Sequence, residues 1–173
     1  SVFRNVATPG EITTSSFGSH IEFDTGTNPW AVALGDVDGD GKMDLAATNW
    51  NSTTVSLLHN TSTEGTIDAS SFSSKVDFST QAGPVNLAFG DINGDGKADL
   101  VVSNKQAGTL SIYRNTSSVG SITSSSLAEG VIFTPGTEPR GVSISDLDGD
   151  GKVDLFVAND GSDNISVFHN ETY

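Results

Sequence analysis

Apolar and polar positions alternate along TVSLLHN from Thr54, and the alternation returns in TLSIYRN from Thr109 and NISVFHN from Asn164. A period of two residues is that of a half-buried strand. Ahead of each copy lies a more continuous apolar run, DLAATN in the first, joined to it by a polar turn such as WNST or KQAG. Ahead of that run comes a stretch rich in Ala and Gly that begins at a proline, PWAVALGD in the first copy. A fourth segment, SFSSKVDF, follows across a longer polar loop. No helix-length window carries a 3.6-residue apolar period. The pattern predicts an all-β chain with four short antiparallel strands per unit.

The unit repeats every 55 residues. Phe23, Phe78 and Phe133 stand in register, as do Pro29, Pro84 and Pro139; Gly10, Gly65 and Gly120; Ile12, Ile67 and Ile122; and Asn5, Asn60, Asn115 and Asn170. Repeats at a fixed period signal an array of like units, here 1–55, 56–110 and 111–165 with a leftover strand over 166–173, read as one domain, 1–173. Small residues on the first strand (Ala31, Ala33, Ala88, Gly141) suit a β-propeller blade, whose innermost strand has least room near the axis. The rival array, a β-solenoid, has shorter, glycine-punctuated repeats. A nine-residue calcium-roll repeat is absent from the sequence.

Charge changes the picture. The chain of 173 residues carries 22 acids against eight Lys and Arg, a net charge of −14, and only 17% of its residues are charged. So few cations cannot cover phosphates, which excludes a nucleic-acid binder. Half of the acids fall in three loops: GDVDGDGKMDLAATN from Gly35, GDINGDGKADLVVSN from Gly90 and SDLDGDGKVDLFVAN from Ser145. Blocks of like charge are commonly solvated or disordered, but strict spacing and apolar flanks oppose that reading here. There is no cysteine, so disulfides play no part in stability. The N-terminus has neither the charged start nor the apolar core of a signal peptide. No run reaches the ~18 apolar residues of a membrane span. The chain reads as a soluble, mature or excised segment of something longer.

Carboxylates packed within ~4–6 Å raise one another's pKa unless a cation compensates. Oxygen donors at loop positions 1, 3 and 5 are what Ca²⁺ accepts, and Gly41 at position 6 permits the sharp turn. The ligand sets are Asp36, Asp38, Asp40, the Lys42 carbonyl and Asp44; Asp91, Asn93, Asp95, the Lys97 carbonyl and Asp99; and Asp146, Asp148, Asp150, the Lys152 carbonyl and Asp154. The Lys42 ammonium points to solvent in this reading. Asn93 lacks a charge, so the second site is expected to be weakest. An EF-hand would need a bidentate Glu at position 12, where this chain has Ala47, Val102 and Val157. The alternative is a metal-free Asp/Gly-rich turn, against which three copies in register argue. Mg²⁺ suits so complete an oxygen cage less well than the larger ion. Three calcium ions would bring the formal charge from −14 to −8.

With the DxDxDGxxD loop set ahead of DLxxxN and a TVSLLHN-type strand, the chain resembles the FG-GAP/VCBS repeats of integrin-α-like β-propellers over essentially its whole length. The resemblance implies Ca²⁺ in the hairpin between the first two strands of each blade, and a secreted or cell-surface location. Propellers close with about four to eight blades, more than three repeats supply. SVFRN aligns with a third strand and HIEF with a fourth, while ISVFHNETY closes on another third strand. A head-to-tail or twofold homo-oligomer completing a six-bladed ring is one expectation, and an open fragment the other.

The turn between the second and third strands falls at the blade end opposite the acidic loops, beside the start of the first strand. Trp30, Val85 and Arg140 at the strand starts and Trp50, Lys105 and Asp160 at the turns vary from unit to unit. They form a candidate partner face on a constant frame, with Trp30 packed between blades as the alternative. Nothing supports catalysis: His20, His59 and His169 are scattered, and His59 and His169 take the strand-edge position of Arg4 and Arg114. No GxSxG elbow is present. Sequons occur at Asn51, Asn60, Asn115, Asn164 and Asn170. The functional expectation is a non-enzymatic, calcium-stabilised extracellular module for recognition or adhesion, its protein or glycan ligand unidentified. The alternatives are a carbohydrate-binding lectin and a non-catalytic accessory domain of a larger secreted enzyme.

Overall fold

The computed structural model describes residues 1–172. Its elements are thirteen strands: β1 (Val2–Asn5), β2 (Phe17–Ile21), β3 (Pro29–Gly35), β4 (Asp44–Asn49), β5 (Thr54–Leu58), β6 (Val76–Ser79), β7 (Pro84–Gly90), β8 (Asp99–Asn104), β9 (Thr109–Tyr113), β10 (Val131–Phe133), β11 (Pro139–Ser145), β12 (Asp154–Asn159) and β13 (Asn164–Phe168). They form four antiparallel sheets ordered β1-β2, β3-β4-β5-β6, β7-β8-β9-β10 and β11-β12-β13. Registers repeat with the sequence: Gly35 pairs Asp44, Gly90 pairs Asp99 and Ser145 pairs Asp154.

Each blade starts where proline fixes φ, directly after a residue in the left-handed region: Asn28, Gly83 or Glu138. A second left-handed position, Thr53, Gly108 or Asp163, closes the hairpin between the second and third strands. Only the middle unit uses glycine at both places, the residue that adopts positive φ without steric cost.

The core lies between sheets rather than within one. Val37, Ala46, Val55, Leu57 and Phe78, on the strands and acidic loop of the first four-stranded blade, meet Leu87, Leu100, Val102, Tyr113 and Leu127 of the second. Val101 then meets Val142 and Leu155 of the three-stranded sheet. The first strands β3, β7 and β11 pack side by side, and small residues make this possible. A Cβ on Gly35 would come within 2.8 Å of the Phe89 ring, and one on Gly90 within 2.7 Å of Ile144. These are contacts at which a methyl group must displace its neighbour.

Within one chain the sheets form no closed propeller ring, β1 and β2 packing chiefly on each other and not on β11–β13, and two expectations are corrected. There are not three equal blades. Among the described residues two sheets have four strands, one has three and one has two. Units counted from the first residue begin in the outer half of a blade, so repeats and blades run out of phase. The pairing is nonetheless constant: Val2↔Ile21, Leu57↔Val76 and Ile112↔Val131 are the same contact 55 residues apart. Finally, the fourth strand is shorter than SFSSKVDF. Ser71 closes a turn on Asp68, and Phe72 makes only an isolated bridge to Asn60 before β6 begins at Val76.

Candidate metal centres and the opposite face

Each acidic loop leaves the end of a blade's first strand and returns at the start of its second. In loop one the Asp36 carboxylate accepts from Gly39 N–H (2.8 Å) and Gly41 N–H (3.0 Å), and Asp40 accepts from Lys42 N–H (2.8 Å). Gly39 and Gly41 have φ of 74° and 86°, and these left-handed turns curl the backbone around the acids. The pattern recurs at Asp91, with Gly94 and Gly96, and at Asp146, with Gly149 and Gly151.

The aspartate at position 9 brackets the loop. Asp44 accepts Val37 N–H (3.0 Å) on one oxygen and Asn60 N–H (2.8 Å) on the other. Asp99 and Asp154 take the equivalent donors from Ile92 and Asn115 and from Leu147 and Asn170. This acid is therefore a backbone clamp as well as a candidate ligand. Burial pushes the Asp44 and Asp99 carboxyls up, against those hydrogen bonds. Asp154 goes the other way, held down by the Asn170 and Leu147 N–H groups. Lys97, Ser117 and Val119 of the next blade line one cavity with Asp36 and Asp38, whereas Asp146 to Asp150 are exposed.

Carboxylate oxygens of Asp36, Asp38 and Asp44 lie within 4.8 Å of one another, as do those of Asp146, Asp148 and Asp154. Asp38 is 3% exposed, and its Oδ2 has no hydrogen-bond partner among the described residues. A buried carboxylate oxygen that accepts no hydrogen bond is costly, and a cation among these acids removes that cost. The residues thus fit a hard divalent ion. In loop two, Asn93 stands where the other loops have Asp38 and Asp148. Lys42 is exposed, whereas the Lys97 ammonium donates to the Ser117 carbonyl at 2.7 Å.

Two features carried signals that went unassigned. The periodic Asn115 and Asn170 bridge blades: the Asn115 side chain donates to Val37 O (2.7 Å) and Ala98 O (2.9 Å), and Asn170 to Ile92 O (2.8 Å) and Val153 O (3.1 Å). Asn115 is 2% exposed, so its sequon is closed in the folded chain. His59 and His169, read as incidental strand-edge residues, reach back to the loops, with Nε2 3.2 Å from Asp38 Oδ2 and 3.1 Å from Asp148 Oδ2.

At the opposite end the candidate partner residues form two groups. The Trp30 and Trp50 rings lie 5.2 Å apart, tilted by 33°. Lys105 pairs with Glu138 (3.0 Å) and Asp160 (3.4 Å), and Arg140 with Asp160 (2.9 Å). A groove of about 290 Å³ lined by Trp30, Val85, Asn86 and Arg140 joins them. Trp30 is 57% exposed. No helix of the described residues is long and apolar enough to cross a membrane.

Comparison with known proteins places this architecture. The T-cell immunomodulatory protein homolog of Plasmodium falciparum (isolate 3D7) is 39% identical over 85 residues, 48% of this chain and 12% of that protein. The chain thus spans a small part of that relative's length. The sequence profile of the FG-GAP-like repeat matches residues 2–47, 36–102 and 91–157. With three overlapping matches that together run from residue 2 to residue 157, the chain belongs to the FG-GAP-like repeat family.

Proposed function

We propose that the chain is a calcium-stabilised recognition or adhesion module of an extracellular protein, with one Ca²⁺ per acidic loop. The observation that carries the reading is the buried Asp38 Oδ2, which accepts no hydrogen bond, amid converging carboxylates. Asp36, Asp38, Asp40 and Asp44 and their counterparts would hold the ion with the Lys42, Lys97 and Lys152 carbonyls. Its contribution is structural, neutralising carboxylates that otherwise repel and tying the first two strands of each blade together. The extracellular assignment draws on the family and on the name of the Plasmodium relative. The reading gives the chain no catalytic residue. Calcium titration by calorimetry tests it, with three equivalents expected; absence of binding at millimolar Ca²⁺ would sink it.

A glycan ligand is the second reading, favoured by the tilted Trp30–Trp50 pair, of which Trp30 lines an open groove. Aromatic faces of this kind bind the apolar faces of sugar rings. Binding on a glycan array lost in Trp50→Ala supports it, whereas binding unmoved by that change places the ligand elsewhere. A protein partner is expected to bind without competition from free sugar. Under either reading a further blade would cover Val32 and Leu34, which are exposed here. They hold the register in which Leu87 and Phe89 pack on the preceding blade. That blade belongs to the same polypeptide, as in an accessory domain of a larger enzyme, or to a second copy completing a ring. Light scattering in excess Ca²⁺ separates the two.

A further inference from the structure

Loop one differs from loop two by an imidazole. His59, one residue beyond β5, sets Nε2 3.2 Å from Asp38 Oδ2 and 3.4 Å from Asp40 Oδ2. The side chains of His59 and Asp40 are each 17% exposed, and that of Asp38 is fully buried. In this geometry the imidazole N–H serves only one of the two oxygens. It reaches Asp40 only at 3.4 Å, and Asp38 Oδ2, though closer, is left without a hydrogen bond. Two carboxylate oxygens and one imidazole nitrogen therefore face one another around a point that a proton does not satisfy.

The spacing fits a metal of a different class from calcium. Zn²⁺-type ions hold nitrogen and oxygen ligands at about 2.0–2.2 Å in a tetrahedron, which puts neighbouring ligand atoms roughly 3.3 Å apart. The two nitrogen–oxygen separations at His59 fall on either side of that value. Imidazole combined with carboxylate suits zinc, cobalt and other first-row ions, whereas calcium takes oxygen alone.

We infer that Asp38, Asp40 and His59 form a mixed nitrogen–oxygen site for a first-row transition-metal dication, overlapping the oxygen site of loop one and selecting a different ion. Loop two cannot do the same, since Arg114 and Asn93 replace the imidazole and the first carboxylate. Loop three has the same residue types in Asp148, Asp150 and His169. There the His169 and Asp148 side chains are 52% and 50% exposed, so it serves as the solvated comparison. The inference shares Asp38 and Asp40 with the calcium reading but does not require calcium to bind.

The test is Co²⁺ titration of the whole chain in calcium-free buffer, followed by visible absorption, with Ca²⁺ calorimetry in parallel. One tight Co²⁺ equivalent is expected, with bands of imidazole-containing low coordination. His59→Gln should weaken it about 10- to 100-fold or more, since even partners of the ligands cost that much when removed. His169→Gln should retain it. Proton NMR of the unaltered chain gives the same answer without relying on a variant's folding: substoichiometric Co²⁺ should shift or broaden one of the three imidazole signals first. A Co²⁺ spectrum unchanged in folded His59→Gln overturns the inference, as do three imidazoles affected equally or no tight Co²⁺ binding. His59-dependent Co²⁺ binding in a chain that takes up no Ca²⁺ would leave this site standing and remove the calcium reading alone.

Discussion

The side-chain amide of Asn115 donates to the main-chain carbonyl of Val37 at 2.7 Å, across the seam between the two four-stranded blades. The same amide donates to Ala98 O in its own blade, while Ser117 closes on Val37 O from the same side at 2.8 Å. One asparagine thus ties two acidic loops together, and Asn170 repeats the bond to Ile92 one blade further on. Loop geometry and blade packing are therefore coupled.

Replacing Asn115 with alanine should destabilise the chain by about 2–3 kcal/mol, because buried carbonyls lose their donor. Asn60→Ala is the control: its amide donates to Met43 O of its own blade, and Val37-type bridging is not part of its bonding. Urea unfolding should show the larger loss at Asn115. Equal losses would mean that the bridge adds nothing to the intrablade bond.

Chelation should lower the melting temperature, and restoring Ca²⁺ should raise it with concentration. One site at 100-fold excess over its Kd contributes about 2.7 kcal/mol. Loop two should fill last, because Asn93 supplies an oxygen without a charge. Asn93→Asp should then tighten the weakest step in a calorimetric titration. A weakest step unmoved by that change would assign it to another loop, with exposed loop three the first suspect.

Tyr113 gives the chain a weakness at high pH. Its hydroxyl donates to Ser79 O at 2.7 Å from a buried position between blades, and burial pushes the phenol up. The folded chain thus holds this proton more tightly than the unfolded chain, whose tyrosines titrate near about 10. The contribution is complete below that unfolded value and is lost as pH rises through the folded one. Tyr113→Phe should cost about 1 kcal/mol at neutral pH and flatten stability above pH ~10. Melting curves at neutral and alkaline pH check both arms.

Thr53 sits at φ 51°, where the equivalent residue of the middle blade is Gly108 at φ 68°. A β-branched residue in the left-handed region is strained by about 1–2 kcal/mol. Thr53→Gly should stabilise by about 1 kcal/mol after the entropy of glycine is deducted. For a chain of this size that corresponds to a rise of about 2–4 °C in Tm. An unchanged or lower Tm would show that the Thr53 hydroxyl, which donates to Ser52 O at 2.7 Å, offsets the strain.

The sequence by itself determined what is local. Alternation named the third strands, the prolines marked the first, and the spacing DxDxDGxxD placed the acids on loops. Strand period, proline geometry and loop chemistry all act within a few residues, so each copy states them in full. The tertiary structure decided what depends on neighbours. Whether Asp38 is buried or, like its counterpart Asp148, open depends on a blade some eighty residues away. His59 looked incidental because only the pairing of β4 with β5 brings it back across the loop. The 55-residue period showed Asn115 and Asn170 in register but not what they bind, since their acceptors Val37 and Ile92 lie in the preceding blade. Ring closure was undetermined for the same reason: the pattern within a strand says which face is apolar, but only a packed neighbour shows what covers it.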